Sequence, residues 1–244
     1  MANWSDPRSD IAGFGGATAA RGEAFDAGLR SYMLSVYNYM ASGVLLTGVV
    51  ALLFASSGMA ASVFTGPGIL KYIVMFAPLL FVMVLSFGIN RLSTVAAQGL
   101  FWAYAAVMGV SLSYIFLAYT GTSIAQTFFA TAAAFAGLSL WGYTTKKDLS
   151  GFGTFLIMGV VGLLVASLIN IFMQSNAMSL VISGVGVLLF AGLTAYDTQK
   201  IKSIYAQVAG TDMMGKSVVM GALNLYLDFI NMFMFLLRLF GDRR

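Results

Sequence analysis

The chain has 244 residues, 59% of them hydrophobic and 9% charged, with a mean hydropathy of +0.88. Soluble domains carry roughly 25% charged residues, so this composition excludes an ordinary soluble globule and points to membrane spans. The net charge of +4 comes with no Cys and no His, which excludes disulfides, thiolate chemistry and imidazole metal sites.

Residues 1–30 are polar, small and mixed in charge, with no apolar core of signal-peptide length, and are expected to form a flexible cytoplasmic tail. Seven segments long enough to cross a bilayer follow, over residues 31–56, 69–90, 94–119, 124–143, 152–173, 178–201 and 218–240. Their connections (TGPG, RLS, TGTS, TKKDLS and QSNA) are short and turn-like, and only residues 205–217 make a longer polar loop. The expected fold is an all-α integral membrane protein, with seven transmembrane helices in one domain over residues 31–244 and no internal repeat. Pro78 is expected to kink the second span. Gly159, Gly162, Gly184 and Gly186 permit close helix contact in the fifth and sixth spans. Trp102, Trp141 and Tyr143 suit an interfacial belt and the core equally.

Lys and Arg set the expected orientation. The tail holds Arg8, Arg21 and Arg30, and the even-numbered connections hold Arg91, then Lys146 and Lys147, then Lys200, Lys202 and Lys216. The opposite side has only Lys71 before the final span. The positive-inside rule then places the tail and those connections in the cytoplasm. Seven crossings put the C-terminus in the periplasm, although that end carries Arg238, Arg243 and Arg244. The basic residues lie singly or in pairs without aromatic interleaving, which argues against nucleic acid as a partner.

Two aspartates stand inside the last two apolar stretches, Asp197 in LLFAGLTAYDTQKIK and Asp228 in ALNLYLDFINMFMFLLRLF. An ionised carboxylate in hydrocarbon costs about 2.5 kcal/mol or more, so such residues face a bundle interior and mark ion or proton paths. Asn224, Asp228 and Asn231 share one helix face, while the other faces carry Leu, Phe, Met and Ile, as in a helix surrounded by others. The two Asn residues read equally as glue between helices and as ligands. Asp197 lies one turn before Lys200, so an interfacial pair with Lys200 or Lys202 is the plainer alternative there. Because one loop separates the two spans, antiparallel packing would bring Asp197 and Asp228 to a similar depth. Two carboxyl groups held close titrate as a unit, and without histidine this pair is the available proton sensor. Arg91, on the same side, reads equally as an anchor to lipid phosphates and as a partner for a carboxylate.

The strings AYDTQKIK, LNLYLDFINMFMFLLRLFG and TKKDLS, on a seven-span chain, resemble the Bax-inhibitor family, also called the transmembrane BAX inhibitor motif family. The likeness is to a bacterial member and covers nearly everything after about Ser31, the N-terminal tail excepted. It implies six helices around a central seventh and a pH-sensitive calcium leak controlled by two aspartates, whose positions Asp197 and Asp228 match. It also implies an arginine near the end of the second helix that engages the first aspartate, and Arg91 matches it. An acidic residue found earlier in that helix in the family's calcium-leak member has no counterpart between Lys71 and Arg91.

The expected function is a gated, passive cation leak of the inner membrane. Calcium would be its cargo, and no cofactor is expected. Calcium prefers six to eight oxygen ligands. Asp197 and Asp228, supported by Asn224, Asn231, Thr194 and Lys200, would make a weak, transient site suited to transit. The expected partners are the lipid bilayer, calcium and protons. Two alternatives are proton-coupled cation exchange and a membrane-embedded regulator of a quality-control protease or stress-response complex. Catalysis is not expected. A Ser/His protease lacks its base, a retinal photoreceptor lacks a lysine in the last span, and a zinc peptidase lacks HExxH.

Overall fold

A computed structural model describes the backbone of residues 8–244 and the side chains of residues 22–244. The chain order is α1 (Arg8–Ser56), α2 (Met59–Thr65), α3 (Leu70–Gly88), α4 (Thr94–Leu112), α5 (Ile115–Ala118), α6 (Gly121–Thr144), α7 (Ser150–Met173), α8 (Asn176–Val208) and α9 (Met213–Phe240). Among the described residues seven stretches are long and apolar enough to cross a membrane, α4 and α5 together forming one of them. These are the seven spans expected from hydropathy, and the chain is a multi-pass membrane protein. Three of the turn-like connections supply the cap that starts the next helix. Ser93, Thr120 and Ser175 hydroxyls accept from the backbone N–H groups of Ala96, Ser123 and Met178.

The C-terminal helix is the centre of the bundle. Its apolar window is 67% buried, against 11% for α3 and for α7. Helices α1, α4, α6 and α8 pack directly on α9, while α3 rests on α4 and α7 rests on α8. The sequence explains this ranking. In α9 the apolar residues run all round the helix, and Leu225, Tyr226 and Met232 are fully enclosed. In α3 and α7 large residues such as Phe76, Phe87, Phe155 and Phe172 remain exposed, as lipid-facing residues should.

Apolar residues gain nothing by leaving lipid, so close packing and hydrogen bonds hold such helices together. Gly142 of α6 lies against the backbone of Ala195 in α8, where a Cβ would collide. Gly159 admits Leu189, and Gly186 admits Phe235. Gly162 and Gly184 face open space, so only one member of each glycine pair marks a helix contact.

Helix α1 starts well before residue 31. Residues 22–30 (GEAFDAGLR) continue it, and their Ala, Glu and Leu favour helix. Phe25 packs against Tyr205 of α8 with ring centroids 5.1 Å apart and planes tilted by 56°, and Gly28 lies against the Tyr205 hydroxyl. The segment expected as a flexible tail is thus helical from Arg8 on, and residues 1–7 lie outside the described residues.

One end of the bundle is basic. There Lys202 Nζ donates to the Tyr143 carbonyl at 2.8 Å, and Gln199 clamps the α6–α7 turn through Lys147 O and Leu149 N–H. Lys216 Nζ reaches Asn90 O at 3.5 Å at the same end. At the opposite end the C-terminal residues are fastened to the α5–α6 turn. Thr120 N–H donates to Asp242 O, and Arg244 N–H donates to Ala118 O. The last helix therefore crosses the bundle completely, and Arg243 and Arg244 lie at the end away from the other basic loops.

Candidate functional site

Asp228 sits near the middle of α9, on the order of 20 Å from either helix end at 1.5 Å per residue, and is 4% exposed. Its Oδ2 has no hydrogen-bond partner among the described residues. Its carboxyl group comes within hydrogen-bonding reach of that of Asp197 on α8. Asp197 is half-buried. A hydrogen bond between two carboxyl groups needs one proton between them. Lys200, exposed one turn further along α8, supplies a positive charge acting on Asp197 and lies 5.9 Å over the Tyr196 ring.

A file of hydroxyls ends at Thr198, the residue that follows Asp197 in α8. Thr198 Oγ1 donates to Thr194 O at 2.7 Å, so its lone pair is what Ser139 Oγ meets at 2.9 Å. Ser139 then donates to Thr198, and Tyr37 OH donates to Ser139 at 2.6 Å. This chain joins α1, α6 and α8 at the residue following Asp197. A second set lies two residues before Asp228. Thr47 Oγ1 donates to Ala105 O at 2.8 Å, and Tyr226 OH donates to Thr47 at 2.6 Å, joining α1, α4 and α9. The sequence reading singled out none of Tyr37, Ser139, Thr198, Thr47 or Tyr226. The available signal was the pair of threonines, Thr194 and Thr198, straddling Asp197.

The other residues singled out from sequence fall into three groups. Thr194 is fully buried, but its hydroxyl is spent on Phe190 O at 2.8 Å. Asn231 donates to Leu227 O of its own helix at 2.8 Å, and Asn224 is half-buried on the same face. Arg91 is exposed in the turn after α3. Helix α3 belongs to the outer shell on α4, away from α8, so the structure unites Asp197 and Asp228 but does not bring Arg91 to them. No group of three or more Asp, Glu, His or Cys side chains occurs among the described residues. The carboxylate count at the pair is two.

The family described as "Inhibitor of apoptosis-promoting Bax1" matches residues 29–244, which takes in every span and both aspartates. The chain belongs to the Bax inhibitor family. Among relatives of this Bax inhibitor chain, an uncharacterized protein of Rickettsia prowazekii is 48% identical over 228 residues, covering 93% of this chain and 96% of the relative. Inner membrane protein YbhL of Escherichia coli is 46% identical over 220 residues, covering 89% and 94%. An uncharacterized membrane protein of Streptococcus pyogenes is 40% identical over 218 residues, covering 88% and 94%.

Proposed function

We propose that this Bax inhibitor protein is a pH-sensitive cation leak of the inner membrane, with calcium as its cargo and the Asp197–Asp228 pair as its proton-controlled constriction. The observation that carries this reading is the enclosed, unpartnered Oδ2 of Asp228 beside Asp197, in the middle of the central helix. A carboxyl group left in that position is costly. Two carboxylates with a few amide and carbonyl oxygens are too sparse to store calcium, which takes six to eight oxygens, and sparse enough to release it. Adding or removing one proton changes both the charge at the constriction and the bond between α8 and α9. That is the kind of local change that biases a two-state helix arrangement.

The basic end faces the cytoplasm in this proposal, in keeping with the positive-inside rule, and the inner membrane is the location that the name of the E. coli relative carries. Arg91 would join Asp197 only after α3 shifts on α4, and so would belong to a second state. Calcium entry into proteoliposomes with the proton gradient collapsed tests the reading. A leak persists under that condition, and Asp197→Asn alters its response to pH. Loss of all flux on collapsing the gradient would indicate exchange instead, and an Asp197→Asn profile matching wild type would sink the proposal.

A further inference from the structure

Helices α1 and α6 stand apart along the flank of the bundle. A cavity of ≈ 790 Å³ lies between them, from Arg30 to Leu45 on α1 and from Phe128 to Tyr143 on α6, with Phe229 of α9 as its floor. A second cavity of ≈ 310 Å³ meets it at Val44, Phe128 and Phe229 and continues toward the far end. Along α1 the larger cavity runs about 22 Å at 1.5 Å per residue, more than the ~15 Å hydrocarbon depth of one leaflet. Leu34, Leu45 and Leu140 along its rim are exposed, so it opens sideways where bilayer would be.

Charge is confined to one mouth. Arg30 is exposed there. Beside it Tyr143 carries Lys202, whose Nζ lies 4.9 Å over the ring and is bonded to the Tyr143 carbonyl. Deeper in, the wall hydroxyls of Tyr37 and Ser139 are already committed to each other and to Thr198. Nothing below the mouth asks for water or an ion; the mouth is lined by one cation, Arg30, and Lys202 lies next to it against Tyr143.

We propose that this groove seats an acyl chain of an anionic phospholipid, with its headgroup phosphate held by Arg30 and Lys202 at the basic end. The occupant follows from the match of a cationic mouth with an apolar slot that opens onto lipid. Because its floor is Phe229 of α9 and its wall hydroxyls of Tyr37 and Ser139 are bonded on to Thr198 of α8, a seated chain would brace α8 and α9, the two helices that carry the aspartates. The site stands on the groove itself and does not depend on the leak reading.

Intact-protein mass spectrometry tests it, on full-length protein reconstituted with equal phosphatidylglycerol and phosphatidylcholine of the same chain length and then released from detergent. One retained lipid per chain is expected, with phosphatidylglycerol favoured by about fivefold for each cation near the headgroup. Arg30→Gln and Lys202→Gln should level the two lipids while leaving a chain bound. Ala136→Trp and, from the opposite wall, Ala41→Phe should each remove the retained lipid, in samples whose elution matches wild type. Retention undiminished in both groove-filling variants, equal binding of the two lipids by wild type, or a second copy of the chain in place of lipid would each overturn the proposal.

Discussion

Asp228 places a carboxyl oxygen without a partner at the centre of the bundle, and Asp148 places one in solvent at the start of α7. The two behave oppositely. A buried polar group left unsatisfied costs about 1–3 kcal/mol, so Asp228→Asn, which keeps shape and removes charge, should melt in detergent at or above the wild-type temperature. A fall of several degrees would mean that the carboxyl group supports the fold. Asp148 Oδ1 accepts the Ser150 N–H at 2.9 Å, and the Ser150 hydrogen bonds hold its carboxyl below the usual carboxylate range. A depressed folded-state value stabilises above the unfolded value and is lost as pH falls through the folded one. The first turn of α7 should therefore be held above about pH 5 and fray below about pH 4. Asp148→Asn should remove that pH response from amide exchange at the α7 N-terminus. An unchanged response would assign it elsewhere.

Helix contacts here turn on small residues. Gly142→Val would drive a side chain into the Ala195 backbone, and over-packing of this kind costs about 1–3 kcal/mol or more. Gly162 has open space around it, so Gly162→Ala should gain up to about 1 kcal/mol from helix propensity. Thermal melts of the two variants should move in opposite directions; equal shifts would contradict the crossing at Gly142. Which glycine of a pair marks a contact, Gly159 or Gly162 and Gly184 or Gly186, could not be read from sequence, because the members of GVVG and SGVGV look alike until neighbours are placed. Spans were legible, since hydropathy accumulates over a whole helix. So was the centrality of α9, whose apolar residues leave no lipid-facing side. The hydroxyl file was not. Every Ser or Thr in a helix can bond its own i−4 carbonyl, as Thr194 and Thr131 do. Which one turns to a neighbour depends on where helices cross. Arg91 shows the same gap, because its sequence position gives its depth but not its helix's place in the outer shell.

The whole molecule is a central helix inside four direct neighbours, with α3 and α7 outside them. Its ends differ in charge, and α9 runs from one to the other. The chain has no cysteine, so single cysteines report sidedness cleanly. With the basic end cytoplasmic, Arg244→Cys should react with an impermeant maleimide from outside intact spheroplasts, and Lys147→Cys only in inverted vesicles. The reverse pattern would invert the proposed orientation. The central claim is that the two carboxyl groups act as one proton-sensing unit. Its most direct test is calcium flux against pH in proteoliposomes carrying wild type, Asp197→Asn, Asp228→Asn or both. Either substitution should abolish the pH dependence and the double variant should add nothing further, as expected of groups that titrate together. Independent, additive effects, or a wild-type profile in either single variant, would contradict it.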